Sequence, residues 1–209
     1  MPAADTGTAP LLLGLALGMR HALDADHLVA MSTIVTRERS ALRASLLGGA
    51  WGVGHCLSLF AVGLAVLVFR IPMGPAFGHL FERLVGVMLV ALGATSLLPR
   101  IRRNRGNEGT ASGLRSHRRP FGIGLVHGLA GSGALAIAVL MTIPSRIGGL
   151  LYITLFGVGA VGGMMGVTGI LALPLRLGAV SGRNVGRWVS VAASVGSVVF
   201  GIYYLHQCA

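Results

Sequence analysis

Residues 20–27 read RHALDADH, which places five ionisable side chains in eight positions. PLLLGLALGM (10–19) precedes them and LVAMSTIV (28–35) follows, both apolar enough for lipid. Taken together, 10–34 is long enough to span a bilayer core as one helix. A charged side chain near the centre of such a helix costs roughly 2.5–3.5 kcal/mol on insertion scales. Residues 20–27 begin near mid-depth, so they cannot all reach the interface. They must be neutralised by each other, by water or by a bound ion.

The rest of the chain confirms lipid as the solvent. Of its 209 residues, 54% are hydrophobic and 11% charged, against ~25% charged in a soluble domain. The pattern predicts an all-α polytopic membrane protein with six spans, near 10–34, 46–69, 79–98, 121–143, 147–173 and 186–205. All 17 basic residues are arginine. Arg37, Arg39 and Arg43 follow span one, seven arginines from Arg100 to Arg119 follow span three, and Arg176, Arg183 and Arg187 follow span five. The alternate loops hold only Arg70 and Arg146. The positive-inside rule then puts both termini on the non-cytoplasmic side of a cell (inner) membrane. The net charge of +11 is spread over loops rather than gathered on a soluble module, which excludes nucleic acid as a partner. Cys56 and Cys208 lack CxxC spacing, so neither a thiol-redox nor a zinc-knuckle motif is present. The N-terminal tail has no basic n-region, and the first apolar segment is read as a retained span rather than a cleaved signal.

The stretch RIRRNRGNEGTASGLRSHRR divides the chain. It predicts an N-terminal three-helix half at 1–98, a basic cytoplasmic linker at 99–120 that lies near anionic lipid, and a C-terminal three-helix half at 121–209. Three spans per half makes the halves enter the membrane from opposite sides. GMRHALDADHLVAM (Gly18 to Met31) and GLVHGLAGSGALAI (Gly124 to Ile137) both carry glycine three residues before a histidine. Faint similarity with opposed orientation is the pattern of inverted-repeat transporters, whose substrate site lies where the repeats meet. Ser132 then falls at the position of Asp26. Glycines recur along spans two, four and five, and Gly162 with Gly166 forms a GxxxG that predicts close helix packing.

On an unbroken helix at about 100° per residue, His21, Asp24 and His27 share an arc of about 120° and Asp26 points nearly opposite. Arg20 lies four residues before Asp24, where an ion pair is feasible. Two imidazoles with a carboxylate between them form a donor set for first-row transition metals. A single intramembrane histidine reads as a packing residue; two with two aspartates in seven positions read as a site. A local unwinding would bring both aspartates to it.

The run RHALDADHL resembles the signature of the nickel/cobalt transporter family of membrane permeases, and the glycine–histidine pair in GVGHCLSL (Gly54, His55) resembles a second element of that family. The resemblance is concentrated in residues 14–60. It implies high-affinity uptake of Ni²⁺ or Co²⁺ as transported substrate, with His21, Asp26 and His27 recognising the metal and Asp24 acting as ligand or as partner of Arg20. The second half departs from the larger family members, because HGLAGSGAL contains no carboxylate; it resembles the shorter six-span, nickel-transporter-like branch.

His55 in span two and His127 in span four are further pathway candidates, the latter at the repeat position of His21. His79 and Glu82, three apart at the outer end of span three, read as a solvated surface pair. Trp51, Trp188, Tyr203 and Tyr204 read as interfacial aromatic anchors. The expected function is a permease, not an enzyme, with no resident cofactor, a divalent metal ion and the lipid bilayer as partners, and room for a homo-oligomer. No GxxxxGK[ST] loop is present, so energy comes from an ion gradient, the membrane potential or a separate subunit. Two alternatives are a proton-coupled permease for another small substrate and an intramembrane hydrolase. The second lacks HExxH, and Ala130 stands where a rhomboid-like GxSG needs glycine.

Overall fold

The computed structural model describes residues 8–35, 38, 40–69, 75–98, 113–129, 134–181 and 183–207. Among them every element is a helix: α1 Thr8–His21, α2 Ala25–Val35, α3 Ala41–Phe69, α4 Pro75–Leu97, α5 Gly113–His127, α6 Ala134–Thr142, α7 Arg146–Ser181 and α8 Arg183–Gln207. The all-α expectation holds. The six expected spans do not appear as six long helices. By length and composition, three described stretches can cross a membrane: Ala41–Ala65, Arg146–Leu173 and Trp188–Gln207. The first and fourth expected spans are each broken in two, as α1–α2 and α5–α6. Helix α4 corresponds to the third. Part of the linker expected at 99–120 is helical. Residues 113–120 are the first turns of α5, while 99–112 lie outside the described residues.

Local signals account for the helix starts. Ser145 caps α7, its Oγ accepting the Gly148 N–H at 3.2 Å and its carbonyl the Gly149 N–H at 2.8 Å. Ser40 does the same for α3 through Arg43 and Ala44. Such a side-chain cap is worth about 1 kcal/mol. Pro144, with no N–H to donate, ends α6 and lets the chain turn into α7.

These two caps are one instance of a repetition that runs through the contacts. Helix α1 packs on α7 as α5 packs on α3, and α3 packs on α7 as α4 packs on α8. Gly18 of α1 lies against the Phe156 carbonyl, and Gly124 of α5 against the Trp51 carbonyl. Gly159 of α7 meets the Leu15 carbonyl, and Gly54 of α3 the Phe121 carbonyl. A Cβ on Gly93 would come 2.5 Å from the Ser194 carbonyl, and one on Gly201 would come 2.6 Å from that of Gly86. The order of these contacts makes α1 parallel to α7 and α5 parallel to α3, with α3 and α7 antiparallel. Helices α1 and α5 therefore run in opposite directions.

Gly18 and Gly124 sit where one methyl would push two backbones apart, and overpacking of this kind costs about 1–3 kcal/mol. Gly124→Val should lower the thermal midpoint of the purified protein. The GxxxG reading needs correcting: a Cβ added at Gly162 or Gly166 would meet nothing within 4 Å, so among the described residues the pair joins no helices. Gly162→Ala should leave that midpoint unchanged in the same melting experiment.

Candidate metal site at the helix breaks

The chain unwinds where the charged motif lies. Helix α1 ends at His21, a tight turn passes through Ala22–Asp24, and α2 restarts with the Leu28 N–H bonded to the Asp24 carbonyl at 3.0 Å. The break repeats in the second half. Gly128 N–H bonds Gly124 O, and Leu129 N–H bonds Val126 O, as Ala22 bonds Gly18 and Leu23 bonds Arg20. His21 and His127 are thus the last residues of two helices that approach each other from opposite directions.

Unwinding overturns the helical-wheel placement of the aspartates. Asp26, expected opposite the histidines, is 3% exposed and turned into the site; Asp24 is 36% exposed at its rim. Asp24 accepts from His21 Nδ1 at 2.8 Å. No ion pair joins Asp24 to Arg20, which lies exposed. Asp26 sits in the first turn of α2, where the helix dipole favours a carboxylate, and its Oδ1 accepts the backbone N–H of His27 at 3.0 Å.

Four imidazoles gather around Asp26. His21, His27, His55 and His127 are all buried, the last three completely. His27 is central, its ring centroid 4.5 Å from those of His21 and His127 and 4.8 Å from that of His55. Asp26 Oδ1 takes His27 Nδ1 at 2.9 Å and Oδ2 takes His127 Nε2 at 3.0 Å. His21 Nε2 lies 2.9 Å from His55 Nε2. The structure therefore brings all six sequence-predicted residues together, five in the buried box and Asp24 at its edge.

The hydrogen bonds dictate the tautomers. A carboxylate only accepts, so ionised Asp26 requires protons on His27 Nδ1 and His127 Nε2. Their lone pairs are then on His27 Nε2 and His127 Nδ1. Asp24 likewise places a proton on His21 Nδ1, which makes His55 Nε2 the donor to His21 and leaves the lone pair of His55 on Nδ1. Those three nitrogens, His27 Nε2, His127 Nδ1 and His55 Nδ1, are buried and have no hydrogen-bond partner among the described residues. A buried polar atom without a partner costs about 1–3 kcal/mol, and an electron-pair acceptor is the kind of group that can satisfy such nitrogens.

Donor atoms of His21, His27 and His55 lie within 4.8 Å of one another, and so do those of Asp26, His27 and His127. Two ligands at about 2.1 Å from a common ion are about 3.0–3.4 Å apart at right or tetrahedral angles. Movements of about an ångström would close either group on a cation. Carboxylates bonded to the far nitrogens are the usual orienting partners of metal-binding histidines.

Sequence reading missed one wall of the box. Trp51, expected at an interface, is fully buried on α3, one turn before His55. Its ring centroid is 5.2 Å from that of His27 and 5.3 Å from that of His127. Its spacing of four residues before His55 was the available signal. Phe156 of α7 packs similarly on His21, at 5.4 Å. His79 and Glu82 form the expected exposed pair at 3.8 Å. Ser132 and Cys208 lie outside the described residues.

No protein-family model matches the chain, and no solved structure does. It is 32% identical over 210 residues to the urease accessory protein UreH of Bacillus sp. (strain TB-90), an alignment covering 94% of this chain and 90% of that protein. It is also 26% identical over 163 residues to the chloroplast protein FOR GROWTH AND FERTILITY 2 of Arabidopsis thaliana, covering 71% of this chain and 43% of that longer protein. Similarity at this level over nearly the full length of both chains places the protein in the family of the urease accessory protein UreH.

Proposed function

We propose that the chain is a six-span permease of the cell membrane that takes up Ni²⁺ or Co²⁺ through the box formed by His21, Asp26, His27, His55 and His127. The observation that carries this reading is the convergence of four buried imidazoles on one buried carboxylate, with three lone-pair nitrogens unsatisfied. Imidazole suits nickel and its neighbours, and a carboxylate adds charge without demanding a softer ion. The contacts repeated at matching positions support two inverted halves, with the box where their broken helices meet, as in other transporters. The arginine distribution supports termini on the non-cytoplasmic side. Kinship with UreH points to a transporter rather than an enzyme.

The test is accumulation of labelled nickel by cells expressing the chain under nickel limitation. A permease raises cell-associated nickel above the vector control, with excess cobalt competing. A proton relay for another substrate, or a hydrolase, leaves nickel content at the control level.

The same site predicts a pH dependence. Protons compete with the cation for imidazole nitrogens, so nickel binding by the purified protein should weaken as pH falls from 7.5 to 5. The loss steepens toward about tenfold per pH unit for each proton displaced. Equal affinity at the two ends, measured by equilibrium dialysis, would rule out a His/Asp site.

A further inference from the structure

The donors of the box do not form one group. They fall into two groups of three that share only His27: His21, His27 and His55 on one side, Asp26, His27 and His127 on the other. We infer that the box offers a transported cation two alternative positions, an outer and an inner one, and that His27 hands the ion from one to the other. This deepens the permease reading and rests on it.

The two groups differ in place. His21 ends α1 and His127 ends α5, helices that run toward each other from opposite sides of the fold. The aromatic walls differ: Phe156 lies against His21, and Trp51 lies closest to His27 and His127, with His55 farther off at 6.0 Å. Those two rings stand at matching positions, since Gly18 rests on the Phe156 carbonyl and Gly124 on that of Trp51. Between α2, α4 and α5 lies a cavity of about 80 Å³ lined by Thr33, Ser96, Arg119 and Ile123. Ile123 is one turn before His127.

The groups also differ in chemistry. The outer is three neutral imidazoles, the inner two imidazoles and a carboxylate. A dication in the outer group is attracted by the buried charge of Asp26 without being in contact with it. Moving inward exchanges His21 and His55 for Asp26 and His127 while one ligand, His27, stays bound. An ion that keeps a ligand throughout never crosses the gap between groups bare, which would carry the full desolvation penalty of a charge in a low-dielectric interior. In the outer position each imidazole coordinates as a neutral ring with its proton on the nitrogen facing away from the ion; in the inner position the cation replaces the His127 N–H at Asp26, and that ring's proton moves to Nδ1.

The experiment uses the full chain carrying Trp188→Phe, so that Trp51 is the sole indole, and reads quenching of its fluorescence by added Ni²⁺. Equilibrium dialysis with labelled nickel on the same samples counts bound ion independently of the fluorophore. His55→Asn disables the outer group and His127→Asn the inner. Two alternative positions of similar affinity predict that each single variant still binds nickel, weaker by only about twofold. The double variant should not bind, and each single variant should reduce cellular uptake to background because the path is cut. If either single variant loses binding as completely as the double, the box is one undivided site and the inference is overturned. His55→Gln and His127→Gln repeat the comparison with a longer amide, so that loss caused by misfolding of one variant is recognised by gel filtration. Absence of binding by the parent would overturn the permease reading itself, a failure distinct from an all-or-none response of the variants.

Discussion

Cells carrying His27→Ala should accumulate no more labelled nickel than cells without the protein, a fall of more than about 100-fold from a functional parent. Loss of a residue that merely orients a metal ligand already costs about 10–100-fold in affinity, and His27 does more than orient. Its ring lies closest to the other three, at 4.5–4.8 Å, and it belongs to both donor groups. It is also completely buried, so no water-exposed residue can take its place. Alanine would leave Asp26 without one of its two side-chain donors and leave a polar hollow at the junction of α2, α3 and α5. The matched control is His79→Ala at the exposed pair with Glu82, where uptake should be unchanged. Equal losses in the two variants would remove the box from the account.

Asp26→Asn is the second large effect, and it isolates charge from shape. The carboxylate accepts from His27 Nδ1, from the His27 backbone N–H and from His127 Nε2. An amide of the same size has one accepting oxygen and one NH₂ group, which meets a ring N–H with another N–H. One histidine must therefore flip its tautomer, and the lone pair it turns toward the amide is no longer available to a cation. Hydrogen bonds to a charged partner are worth about 1.5–3 kcal/mol each, so the variant should be less stable. Because Asp26 also orients His27, which serves both positions, the variant's nickel affinity should fall by at least about 10–100-fold. Asp24→Asn, half exposed and bonded only to His21, should cost less in the same dialysis assay. The reverse ranking would show that Asp24, not Asp26, is the carboxylate the metal depends on.

Much of this was legible in the sequence because lipid makes charge conspicuous. RHALDADH stands out only against an apolar background, and the price of burying it forces a site. The GxxH pairs at Gly18–His21 and Gly124–His127 were enough to predict the repetition, and the structure places both histidines at equivalent helix ends. A wheel drawn on an ideal helix could not place Asp26, because its orientation depends on a turn at Ala22–Asp24 that exists through tertiary contacts. Trp51 looked like an anchor because an aromatic near a span end normally is one; its burial follows from Gly124 letting α5 sit directly on its backbone. Gly162 and Gly166 misled for the opposite reason. Small residues permit close approach but do not say whether a helix arrives. The matching serine caps at Ser40 and Ser145 are a second mark of the repeat that the sequence carries.

X-ray absorption at the nickel edge of the metal-loaded, full-length protein tests the central claim most directly. The account predicts a nitrogen- and oxygen-only shell with the multiple-scattering pattern of at least two imidazole rings, lost in His27→Ala. A sulfur scatterer, an all-oxygen shell without imidazole, or a spectrum unchanged by His27→Ala would contradict it.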